Sequence, residues 1–63
     1  MSAKEQLSAV MDVLAKTVID AEKFDRGNAQ AGKRVRKAAQ TCREALKNLR
    51  STIQETKNQR SSA

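Results

Sequence analysis

In the N-terminal part of the chain, apolar side chains fall at Leu7, Val10, Met11, Leu14, Val18, Ala21 and Phe24. Spacings of three and four are the period of an amphipathic α-helix, not the alternation of a strand. At about 100° per residue these positions make a stripe roughly 140° wide, broad for a helix that faces a single neighbour. Ser2 followed by Glu5 reads as a capping box, the hydroxyl accepting from a first-turn amide while the glutamate reaches back. The pattern predicts a first helix over about residues 2–25. It stops at Arg26-Gly27-Asn28, where Gly27 can take the left-handed conformation that closes a helix and Asn28 can cap the next one.

A second helix is predicted over about residues 29–58, near 45 Å long at about 1.5 Å per residue. Ala31, Val35, Ala38, Cys42, Ala45, Leu46, Leu49 and Ile53 line one face of it. Residues 59–63 are small and polar, and a frayed end is expected there. A turn as short as 26–28 makes antiparallel neighbours. The expected fold is therefore all-α, a single antiparallel helical hairpin over residues 1–58. Two helices paired alone cover only part of each apolar stripe. With 63 residues, one cysteine and no histidine, neither a disulfide nor a zinc site can staple the chain. Self-association into a dimeric four-helix bundle is the expected remedy. Its core and oligomer contacts would be Leu7, Val10, Leu14, Val18, Val35, Cys42, Leu46, Leu49 and Ile53.

Composition agrees with this pattern. Proline is absent, glycine occurs twice, Phe24 is the one aromatic residue, and strong helix formers dominate. The most apolar stretch, "AVMDVLAKTVIDA", is broken by Asp12, Lys16 and Asp20, which argues against a membrane span. "MSAKEQ" lacks the basic flank and apolar run of a signal peptide, so a cytoplasmic location is expected.

Charge changes the picture more. The chain carries a formal +6, but residues 1–25 hold three Lys/Arg against five Asp/Glu, and residues 26–63 hold ten against two. Between Arg26 and Arg43 there is no acid at all. Lys33, Arg36, Arg43, Lys47 and Arg50 fall within about 100° of arc on the second helix, with Arg34 and Lys37 toward the flank. Solvated helix faces usually mix signs and gain from pairs four residues apart. A one-signed face instead invites a polyanion.

Catalysis finds little support. There is no histidine to activate Cys42, which lies mid-stripe as a small hydrophobe would, and Asp12, Asp20 and Glu22 sit on outer or flanking surface. "AGK" lacks the spacing of a phosphate loop. No catalytic residue, metal site, cofactor or small-molecule substrate is expected. Gly32 reads either as a gap for close helix packing or as a place for a phosphate to approach the backbone. Ile19 stands apolar on a polar side of helix 1, either exposed or a further contact. A basic amphipathic helix can also lie on anionic lipid, but an alanine-rich face without Trp or Phe would insert feebly, and no membrane partner is expected.

Duplex DNA suits the cationic face best. A straight helix can track phosphates and release counterions, and arginine offers forked donors. Without aromatics for stacking, single-strand recognition is disfavoured. Lys33, Arg34, Arg36, Lys37, Arg43, Lys47 and Arg50 are the expected phosphate contacts, in binding without base preference. A helical adaptor docking a protein through the apolar stripe, and an RNA-binding hairpin, are the alternatives.

Arg26-Gly27-Asn28 at the turn, Ala31 or Gly32 after it, Arg34-Val35-Arg36-Lys37 beyond, and the spaced leucine, arginine and isoleucine of "LKNLRSTIQETKN" form a distinctive run. It resembles the bacterial linker-histone-like proteins of chlamydial nucleoids and their short relatives. The resemblance implies sequence-tolerant DNA binding and chromosome compaction in the nucleoid, without catalysis. The chlamydial type carries a long lysine-, alanine- and proline-rich tail. This chain ends in "NQRSSA" and resembles a short, tail-less form that depends on its folded basic surface.

Overall fold

Helix formation follows the caps. In the computed structural model, which describes residues 2–62, α1 spans Ala3–Asp25 and α2 spans Ala29–Ser62. Ser2 is the N-cap of α1: its Oγ accepts from the Glu5 amide at 3.1 Å and donates to Glu5 Oε1 at 3.1 Å. At the other end the Gly27 amide donates to Phe24 O (2.9 Å) and the Asn28 amide to Lys23 O (3.0 Å). This pair of bonds is the Schellman closure, and it requires the positive φ of 106° that Gly27 adopts. Asn28 Oδ1 then accepts from the Ala31 amide at 3.1 Å and starts α2. α2 continues to Ser62, past the stop expected near residue 58, since no glycine or proline in that stretch interrupts it.

The result is an antiparallel helical hairpin, an all-α rod with extents of 55 × 15 × 13 Å and no strand among the described residues. No helix among them is long and apolar enough to cross a membrane. The seam is narrow. Val10, Ala31, Cys42 and Leu49 are buried, with Ala3, Gln6, Val13, Thr17, Ala21, Val35, Ala38, Ala45, Thr52 and Thr56 half-buried beside them. On α2 the seam residues alternate spacings of four and three from Ala31 to Thr56, the heptad of helices packed side by side. Alanines at 31, 38 and 45 let the two backbones approach closely.

Polar side chains in the seam bond across it and back to their own helices. Gln6 Nε2 donates to Thr52 Oγ1 at 2.8 Å, and Thr52 Oγ1 donates to Asn48 O at 3.2 Å. Thr17 Oγ1 donates back to Val13 O at 2.6 Å. Gln6 to Thr52 locks the register far from the turn. Near the turn, Asp20 and Arg34 do the same from opposite helices.

The seam is not centred on the most apolar stripe of α1. Of the residues expected in the core or in an oligomer contact, Val10, Cys42 and Leu49 are buried and Val35 is half-buried within the hairpin. Leu7, Leu14, Val18, Leu46 and Ile53 lie outside the seam, between 42% and 55% exposed. The physical reason is width: one neighbouring helix cannot cover a stripe roughly 140° across. The seam takes the sector with Ala3, Gln6, Val13 and Thr17 and leaves the larger leucines to one side.

Candidate nucleic-acid interface

The cations owe their places to the seam. Because Val35, Cys42 and Leu49 face α1, the residues that follow them, Arg36, Arg43 and Arg50, fall in a row on one flank of α2. Seven residues separate successive members, about 10.5 Å along the axis. Lys57 continues the same repeat, and Lys33 and Lys47 stand just beyond the row. All are exposed. The seven-residue spacing is visible in the sequence, and extending it would have added Lys57 to the expected contacts.

The seven expected contact residues do not form one patch. Lys33, Arg36, Arg43, Lys47 and Arg50 share one sector, and Lys37 lies at its edge. Arg34 is turned to the other flank, where its Nε donates to Asp20 Oδ1 at 3.0 Å. This is the only ion pair among the described residues. Being half exposed, it adds little to stability, on the order of 0–1 kcal/mol. It does hold Arg34 toward α1 and away from the row. Pairing between helices cannot be read from spacing along one of them, so Asp20 gave no signal.

The row borders apolar surface instead of lying wholly opposite to it. Gly32, Ala39, Leu46 and Ile53 repeat every seven residues on the same side as the arginines. From α1 the same side receives Leu7, Leu14 and Val18. An open groove is lined by Leu14 together with Ala39, Cys42, Arg43, Leu46, Lys47 and Arg50, with Glu44 the one acid in its wall. A second is formed by Arg36, Lys37, Ala39, Gln40 and Arg43 and contains no acid. Aliphatic arms of such cations can lie along the leucines while their charged ends stay in water.

Gly32 is explained by packing. A Cβ added there would sit 2.5 Å from Phe24 Cδ1 and 2.7 Å from Cε1, so the missing side chain makes room for the ring. Phe24 stays about half exposed over this notch. Ile19 is exposed on a different sector of α1, away from both seam and groove. Cys42 is buried in the seam as a free thiol. Among the described residues no group of three or more His, Cys, Asp or Glu could hold a metal.

Such a surface offers regularly spaced cations without an ion-pair partner among the described residues, beside an uncovered apolar strip. No curated protein and no solved structure matches the chain. The family model described as Histone H1-like protein Hc1 matches residues 4–59, both helices and the turn between them. With most of its length matched, the chain belongs to the histone H1-like Hc1 family.

Proposed function

We propose that this protein binds double-stranded DNA without base preference through the exposed cations of α2, and organises the bacterial chromosome as a histone-like component of the nucleoid. The observation that carries the reading is the row Arg36, Arg43, Arg50, with Lys33 and Lys47 beside it, all exposed and none paired with an acid among the described residues. Arginine and lysine at regular intervals on a straight helix neutralise phosphates and release condensed counterions. For base readout that sector offers, between Lys33 and Arg50, Gln40 alone among the amide side chains, with no Asn and no aromatic ring. Membership of a histone-like family agrees with this role.

The working unit is a dimer, two hairpins closing into a four-helix bundle over the strip of Leu7, Leu14, Val18, Leu46 and Ile53. A rod face of 55 × 15 Å has a flat area of about 800 Å², the share each partner gives to a stable interface. Burying the strip against a second copy also answers the weakness of a seam in which four of the described residues are buried.

Binding to unrelated duplexes at several salt concentrations tests the reading. With about five phosphates neutralised per chain, log affinity falls with log salt at a slope of about −4 to −5 per chain. A flat salt response, or strong preference for one sequence, would overturn it. Competition among duplex DNA, RNA and an acidic protein assigns the polyanion. Winning competition by RNA or by the acidic protein would replace the DNA reading.

A further inference from the structure

We infer that duplex DNA drives the pairing of two copies, because the polyanion and the second copy use the same side of the hairpin. The inference rests on the DNA-binding reading above and adds a regulation to it. Leu14 and Leu46 share one groove with Arg43, Lys47 and Arg50. A second hairpin that covers those leucines brings its own cation row to the rim of the interface. Each chain carries a formal +6, so two copies meeting on this side repel in the absence of a polyanion. Phosphates laid along the rim remove that repulsion. The dimer then offers the duplex the cation rows of both chains at once.

Charge complementarity also favours one arrangement of the pair. If each α2 lay over the α2 of its partner, the rows Arg36–Arg43–Arg50 would face each other. If each α2 lies over the partner's α1, the arginine rows border a helix whose matching side carries Met11, Leu14 and Val18, with Glu22 and Asp25 toward the turn and Lys4 as its one cation, at the far end. That arrangement buries leucine against leucine and keeps the two cation rows apart. It places one row along each long edge of the bundle, open to phosphate.

Coupling of this kind is reciprocal. Whatever factor DNA adds to dimer affinity, dimerisation adds to DNA affinity. Two consequences follow. Added salt strengthens self-association of the DNA-free protein by screening like charges, while it weakens DNA binding. An uncharged change in the strip weakens DNA binding although no cation is touched.

The full-length chain tests both. Sedimentation at low and high salt, with and without a 20-base-pair duplex, measures self-association. Gel retardation measures affinity for wild type, for the double variant Leu14→Gln/Leu46→Gln and for Ile19→Gln. Leu14 and Leu46 are 48% and 42% exposed in the hairpin and Ile19 is 58% exposed on another sector, so circular dichroism should show all three proteins folded. Expected is at least a tenfold tightening of the dimer by duplex at low salt. The strip variant should lose at least tenfold in DNA affinity, and Ile19→Gln should stay within twofold of wild type. Retardation that persists while the strip variant binds like wild type, or while self-association ignores both duplex and salt, overturns the coupling and leaves the DNA reading standing. Absence of retardation by the wild-type protein overturns both. Loss of helicity in the strip variant would contradict the exposure on which the inference stands, and it too counts against it.

Discussion

Replacing Arg36 and Arg43 by glutamine removes two neighbouring members of the cation row, one heptad apart, without adding a charge that could pair elsewhere. Each phosphate contact contributes to log affinity about 0.9 of the logarithm of inverse salt concentration. At 0.1 M salt that is a factor of about 8 per contact, and at 0.2 M about 4. The double variant should therefore bind duplex DNA about 60-fold more weakly than wild type at 0.1 M and about 20-fold more weakly at 0.2 M. Its salt slope should be shallower by about 1.8. At 25 °C the loss at the lower salt corresponds to about 2.4 kcal/mol. Both arginines are exposed and neither is ion-paired among the described residues, so far-ultraviolet circular dichroism should be unchanged. Arg34→Gln is the matched control. It removes the same charge only two residues from Arg36, on the opposite flank and tied to Asp20 at 3.0 Å. Its effect should stay below about threefold, since it takes away long-range attraction without a phosphate contact. Fluorescence anisotropy over a salt series reads all of this in one experiment. A loss that is the same at every salt concentration, or an Arg34→Gln defect as large as that of the double variant, would refute the assignment of the row.

Two predictions concern the hairpin itself. Gly27 has a φ of 106° and open space where a side chain would go, so Gly27→Ala should lower stability by about 1–2 kcal/mol through backbone strain alone, read by thermal denaturation. Gly32→Ala tests the notch under Phe24: in a Phe24→Ala background it should stabilise by about 1 kcal/mol through helix propensity, and with the ring present that gain should vanish or reverse. A double-mutant cycle on the four proteins isolates the difference, and equal effects in both backgrounds would show that the ring does not occupy the notch.

Much of this architecture is local and could be read from order alone. Ser2 with Glu5, the Gly27 turn and Asn28 each act within three or four residues, so the caps and the break between helices follow from side-chain chemistry. The same is true of the cation row. A helix fixes the angle of every residue relative to its neighbours, so Arg36, Arg43 and Arg50 share a sector however the helix is packed.

What order alone leaves undetermined is the rotation of one helix against the other. Apolar spacing on α1 nominates a sector centred on its leucines, yet any part of so wide a stripe could close on α2. Tertiary structure chooses the sector with Ala3, Gln6, Val13 and Thr17. There the α2 alanines allow close approach, Gln6 meets Thr52, and Asp20 meets Arg34. That rotation brings Arg34, already on the opposite side of α2 from the row, against Asp20 and leaves Leu7, Leu14 and Leu46 uncovered beside the row. It also seats Phe24 on Gly32. Each of these outcomes depends on contacts between residues distant in the chain. A helical period carries no information about them, and the folded hairpin alone decides them.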